Sequence, residues 1–159
     1  IKPFKSDNVE IAKKFYDTNA SDEEKQNALI YYNDTYMQNS GVLYKSKEAF
    51  DVVTILDGTV VDVKKDEVLG NIVEIKHSNN LITKIPSNCG VFLINGRQTA
   101  KIYFKAVKKD QLLKQGDVIG KSGKLNLGEE IENGLLFEVI SDGKYINPLT
   151  YLEQKNNGQ

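Results

Sequence analysis

His77 is the only histidine in the 159-residue chain. A Ser-His-Asp or Cys-His nucleophile system needs an imidazole base, so any such machinery here would have to be built on this one ring. His77 ends a β-type run that starts at Gly70 and is followed by Ser78-Asn79-Asn80. Its expected place is therefore the flank of a turn, in a structural role. Cys89 is the only cysteine, which excludes an intramolecular disulfide and a cysteine-based zinc cage. With no histidine nearby in sequence, it is expected to be an inert thiol. Catalytic zinc takes three protein ligands, mostly histidines, and one histidine plus scattered carboxylates is a poor set. No Asp/Asn series has the spacing of a calcium loop. Gly116-Asp-Val-Ile-Gly120-Lys121-Ser122 imitates a phosphate-binding loop, but its glycines are one residue too close. The following Leu125-Asn126-Leu127-Gly128 is poor material for the helix that must face a phosphate. A tight β-turn using glycine's access to positive φ accounts for the segment better.

The totals narrow the field further. A formal charge of −1 gives no broad drive toward nucleic acid. Lys101, Lys105, Lys108, Lys109, Lys114, Lys121 and Lys124 form a loosely basic stretch, interrupted by Asp110 and Asp117. A solvated strand face is the expected reading; the alternative is a surface for an acidic partner or an anionic wall polymer. Tyr31, Tyr32, Tyr36 and Tyr44 cluster in sequence. Tyr32 is expected in the core, and any that stay exposed are candidate interface anchors, since tyrosine offers contact area with a polar tip. Apolar residues at 40% and charged residues at 27% are ordinary for a globular domain, and the length allows one. No apolar run reaches the roughly 18 residues of a membrane span. The chain starts at Ile1 rather than Met, and removal of an N-terminal signal or membrane anchor is the expectation.

The elements that must position these residues are mostly strands. Residues 4–17 fit a strand or a short helix, the strand being favoured. Ser21 and Glu24 form a capping-box pair, and the helix they open is expected to run to about Asp34, with Ala28, Leu29 and Tyr32 as its apolar stripe. After Gly41 the period changes. Residues 50–56, 58–64, 71–77 and 81–85 are rich in Val, Ile and Thr and are separated by turn residues, which predicts strands. Residues 118–120, 135–140 and 145–146 continue the pattern. Residues 88–106 are expected to form a hairpin turning at Asn95-Gly96. The polar stretch from Glu153 is expected as a disordered tail. The fold expected is mainly β, in antiparallel sheets, with a short helical N-terminal segment.

Three segments in order resemble the LytM-type (lysostaphin-like) zinc peptidases of bacterial cell walls. The first is Asp57-Gly58-Thr59-Val60-Val61 followed by Gly70-Asn-Ile-Val-Glu-Ile-Lys-His77. The second is Val107-Lys-Lys-Asp-Gln-Leu-Leu-Lys-Gln-Gly-Asp-Val-Ile-Gly-Lys-Ser-Gly123, in which Asp110 stands where the family has glycine. The third is Phe137-Glu138-Val139 with Asp142-Gly143-Lys-Tyr-Ile-Asn-Pro-Leu149. The resemblance implies that family's duplicated hybrid motif of antiparallel sheets over residues 40–152, preceded by a segment 1–39 packed on the domain and followed by the tail 153–159. It also implies where zinc would sit. The family's first ligands, H-x-x-x-D, fall on Asn39 and Leu43, and its H-x-H pair, the last ligand and a catalytic histidine, falls on Gly134 and Leu136. The remaining family histidine has Ser87 as its nearest match, and His77 aligns with a non-ligand histidine. No zinc, no other cofactor and no hydrolase activity are therefore expected.

The stretches from Lys13 to Tyr36 and from Phe50 to His77 also resemble a sporulation branch, the stage II sporulation protein Q family of endospore-forming bacteria. That resemblance implies a non-enzymatic scaffold with a single-pass anchor in the forespore membrane. Its domain would lie in the space facing the mother cell, docking the ring-building domain of stage III sporulation protein AH as part of a channel or tether. A higher-order ring is a further implication. Residues 86–106 depart from the family, which has a short connection there. The contact residues expected are Tyr31, Tyr36, Lys101, Tyr103 and Lys105. The alternatives are a regulator of cell-wall amidases and a peptidoglycan-binding module.

Overall fold

The computed structural model describes residues 1–67, 69–78, 80–87 and 107–157. The hairpin expected over 88–106, Cys89, Lys101, Tyr103 and Lys105 lie outside the described residues. Numbered in chain order, the strands are β1 (Phe4–Lys5), β2 (Glu10–Lys13), β3 (Leu29–Tyr32), β4 (Thr35–Gln38), β5 (Val42–Ser46), β6 (Asp51–Val53), β7 (Gly58–Asp66), β8 (Gly70–Lys76), β9 (Leu81–Ser87), β10 (Leu112–Leu113), β11 (Val118–Lys121), β12 (Gly123–Asn126), β13 (Glu130–Ser141) and β14 (Lys144–Ile146). The helices are α1 (Asp22–Asn27) and α2 (Pro148–Asn157).

The fold is mainly antiparallel β, as the alternating runs require. One sheet takes the order β10-β7-β8-β9-β13-β5-β2, with β12 and β14 also paired to β13. A second has the order β1-β6-β11, and β3 and β4 form a separate hairpin. Strand β13 is the organising element. Its first half pairs with β5 and β12, and its second half with β9 and β14. Its Leu135, Phe137 and Val139 point into the main core with Val42, Val60, Ile75 and Ile85. Alternate residues at period two face the other side, where Leu136 joins a second apolar cluster. Tyr44 sits within the main core beside Phe4, with ring centroids 5.0 Å apart, and burial pushes its hydroxyl pKa up to about 12.

Two local expectations are corrected. The capping box is present: the Glu24 N–H donates to Ser21 Oγ, and the Ser21 N–H donates to the Glu24 carboxylate. The helix it opens nevertheless ends at Asn27, not near Asp34. Leu29-Ile-Tyr-Tyr32 is β-branched and aromatic, and Asn33 and Asp34 both take positive φ, 50° and 61°. That is a type I′ turn, whose twist joins β3 to β4 as a hairpin. Residues 153–157, expected in a disordered tail, belong to α2. Asn147 Oδ1 accepts the Leu149 N–H at 3.0 Å with Pro148 leading the helix, and Leu149, Tyr151 and Leu152 pack on the main core. Within residues 4–17 only the short strands β1 and β2 form. The run 50–56 shortens to β6, because Thr54 turns the chain by hydrogen bonding to the Leu56 carbonyl at 2.7 Å.

Candidate functional site

Three of the expected ligand and catalytic positions, Leu43, Gly134 and Leu136, lie together. Leu43 on β5 and Leu136 on β13 are direct cross-strand partners, and both are buried. Gly134, two residues before Leu136, pairs with Lys45. Around the two leucines pack Ile30 from β3, Leu125 from β12, Leu127 and Ile131. The space is filled by hydrocarbon: a Cβ at Gly134 would stand 3.0 Å from Leu125 Cδ1 and from Ile131 Cγ2. Burying each of these side chains contributes roughly 1.5–3 kcal/mol, so the cluster is a structural core in its own right.

Asn39 is the polar member of the set and its groups are all engaged. Its Nδ2 donates to the Lys14 carbonyl at 2.9 Å, and its Oδ1 accepts the Gly41 N–H at 3.2 Å. Its N–H donates to the Ala28 carbonyl, and its own carbonyl accepts the Tyr16 N–H. The side chain thus fastens the N-terminal segment to the sheet. Asn39, Leu43, Gly134 and Leu136 do not fit a zinc ion. Leucine and glycine side chains offer no donor, and the amide of Asn39 is turned onto main chain. Among the described residues there is no group of three or more His, Cys, Asp or Glu side chains able to hold a metal.

His77 is not part of that cluster. It is buried, with Nδ1 2.9 Å from the Asp57 carbonyl and Nε2 2.9 Å from Thr83 Oγ1. A carbonyl can only accept, so Nδ1 carries the proton and Nε2 accepts the threonine hydroxyl. Burial holds the imidazole pKa below its usual value, against the raising effect of the Asp57 carbonyl. Gly58 makes room for the ring, since a Cβ there would lie 2.7 Å from Nδ1. The residue directly follows β8, and its N–H donates to the Leu81 carbonyl across the turn, the flanking position expected of it.

Sequence reasoning missed a row of charge across the sheet. Asp62, Glu74, Lys84 and Glu138 are successive cross-strand partners on β7, β8, β9 and β13. Lys64 bridges Asp62 and Glu74 at 3.4 and 3.2 Å. Glu138 is buried; Ser40 Oγ donates to its Oε1 at 2.5 Å, and Lys84 Nζ stands 3.8 Å from its Oε2. Burial pushes its carboxyl pKa up, with Ser40 and Lys84 opposing. The available signal was spacing: Glu138 is two residues past Leu136 and so on the same face. Ile30, Leu125 and Leu127 were also missed, although Leu125-x-Leu127 is a period-two pair.

Tyr31 and Tyr36 are brought together. They are cross-strand partners on the hairpin, stacked edge to face with centroids 5.0 Å apart, and Tyr36 is 72% exposed. Tyr32 points the other way, toward the leucine cluster, and its hydroxyl donates to Asp66 Oδ2 at 2.8 Å. A shallow pocket of about 170 Å³ between Lys14, Glu24 and Leu149 contains none of the expected site residues.

Residues 37–148 match the model of peptidase family M23. The chain is 39% identical over 151 residues to stage II sporulation protein Q of Bacillus subtilis (strain 168). The match covers 94% of this chain and 48% of that protein, so the chain spans about half the length of this curated relative. A chain of the SpoIIQ–SpoIIIAH pore-forming complex superimposes with a TM-score of 0.77 at 38% identity, covering 94% of this chain and 88% of that one. The catalytic domain of the antimicrobial peptidase lysostaphin from Staphylococcus simulans shares the fold, with a TM-score of 0.55 at 15% identity over 91% of each chain.

Proposed function

Because this chain belongs to peptidase family M23 while Leu43, Gly134 and Leu136 stand at its expected ligand and catalytic positions, we propose that it is a non-enzymatic member that works by docking another protein. The partner is the domain of stage III sporulation protein AH. The observation that carries the reading is the similarity, along 94% of the chain, to a protein solved in complex with SpoIIIAH. The filled leucine cluster supports the loss of hydrolysis, since a side chain that can neither ligate zinc nor move a proton supplies no step of that chemistry. It also argues against a wall peptide lodging at this point of the face.

The domain acts as a scaffold in the space between forespore and mother cell, held at the forespore membrane by an anchor, as part of a channel or tether. No helix among the described residues is long and apolar enough to cross a membrane. With a net charge of −1, long-range steering is weak and affinity comes from shape and apolar contact. Tyr31 and Tyr36, together with Lys101, Tyr103 and Lys105, are the proposed contact residues. Gel filtration of this domain with the soluble domain of stage III sporulation protein AH from the same organism tests the reading. A stable complex at tens of micromolar is expected, a range in which modest interfaces register. Separate elution would overturn the docking reading and favour regulation of cell-wall amidases.

A further inference from the structure

We infer that the outer edge of β4 is the strand that receives the partner. The partner contributes an extended, uncharged segment that pairs there as a third strand of the β3–β4 hairpin. This rests on the docking function proposed above. The register states which groups are available. In a two-residue hairpin the pair flanking the turn, Tyr32 and Thr35, exchanges hydrogen bonds, and the pairs beyond it alternate. Tyr36 and Gln38 are therefore the residues whose N–H and C=O point away from β3. The Asn39 N–H donating to the Ala28 carbonyl continues the same alternation. Among the described residues, these outward groups have no main-chain partner.

Both edges of the long sheet path are guarded. The edge strand β2 carries Glu10 and Lys13, and Glu10 pairs with Lys45. The edge strand β10 is two residues long and lies between Lys108-Lys109 and Lys114. Charge and shortness are the ordinary defences of a sheet edge against strand addition. Strand β4, Thr35-Tyr36-Met37-Gln38, has neither a charge nor a proline, and all four residues are exposed. A charge-free edge matches a charge-free strand, because Tyr36 and Met37 offer apolar cross-strand contacts and β4 offers no ionic partner to a lysine or glutamate. A two-stranded hairpin is marginal on its own, and a third strand would also cover the Tyr36 ring already braced by Tyr31.

The test uses Gln38→Pro and Gln38→Ala in titrations with the stage III sporulation protein AH domain. Proline removes an outward N–H without touching the bonds to β3, and its preceding residue is already extended. The proline variant is expected to bind about tenfold more weakly or worse, while the alanine variant binds as wild type. Amide exchange on the wild-type domain gives a second reading: the Tyr36 and Gln38 N–H groups exchange fast alone and slowly in the complex. Equal binding by both variants, or no protection of those amides, overturns strand addition while leaving the docking function standing. No binding by wild type overturns the docking function itself. Self-association of wild type that the proline variant abolishes would assign the edge to a second copy of this chain and overturn the choice of partner.

Discussion

Leu43 and Leu136 oppose each other across the β5–β13 ladder, and each is almost wholly excluded from solvent. At non-hydrogen-bonded or hydrogen-bonded sites alike, such partners have Cβ atoms about 5 Å apart, close enough for their side chains to share one ion or one apolar cluster. Here they share the cluster. Leu136→Ala is expected to cost about 2–5 kcal/mol, and Leu43→Asp about 3 kcal/mol or more by adding an uncompensated charge. Urea unfolding measures both. A loss below about 1 kcal/mol for Leu136→Ala would mean the cluster is not the core described.

Elemental analysis of the purified domain is expected to find no stoichiometric zinc, and wall peptides incubated with it are expected to stay intact. Cleavage that a chelator abolishes would restore the enzymatic reading.

Asn39→Ala leaves the Lys14 carbonyl and the Gly41 N–H without their side-chain partners, an expected cost of about 1–3 kcal/mol. Asn39→Asp is expected to be worse, since a carboxylate oxygen would replace the donor facing the Lys14 carbonyl. If the aspartate variant melts above the alanine variant, the clamp is misassigned.

His77 ties stability to pH. The unfolded chain takes up a proton near the ordinary value of about 6.5, while the buried imidazole resists protonation until lower pH. In that window the unfolded state binds more protons, so this contribution is full above about 6.5 and lost as pH falls toward the native value. His77→Gln, which has no titrating ring, is expected to flatten the slope of stability between about pH 7 and 5. Parallel slopes in the two proteins would count against it.

Glu138 acts with the opposite sign. Its native pKa is raised, so its contribution is full below the ordinary carboxylate value and is lost as pH rises through the native one. Glu138→Gln is therefore expected to gain stability at neutral pH, by about 1 kcal/mol, with the gain shrinking in acid. A loss at neutral pH would show that the Lys84 contact outweighs burial.

How far the sequence disclosed this arrangement depends on the range of each interaction. The capping box of Ser21 and Glu24 and the strands around Gly58 and Gly70 were legible, because both signals are local. Ala28, Leu29 and Tyr32 misled for the same reason: their spacing suits a helical stripe, while alternation through Leu29-Ile-Tyr-Tyr32 suits a strand. The decision lay in Asn33-Asp34, whose positive φ angles favour the hairpin. Leu43 and Leu136 were singled out by resemblance, as expected ligand or catalytic positions. What packs around them was not legible, because Ile30, Leu125 and Ile131 meet them only through tertiary packing. The Ser40–Glu138 contact spans 98 positions and has no local signature.

The leucine cluster also makes the proposed loss of chemistry hard to reverse by gradual mutation. A first step back, Leu43→Asp or Leu136→His alone, would place a polar group among hydrocarbon before any ion could reward it. A histidine at Gly134 would first have to displace Leu125 and Ile131. Each intermediate would be less stable than the present protein, so a lineage that has packed this site meets a valley in stability before any ion could be held there.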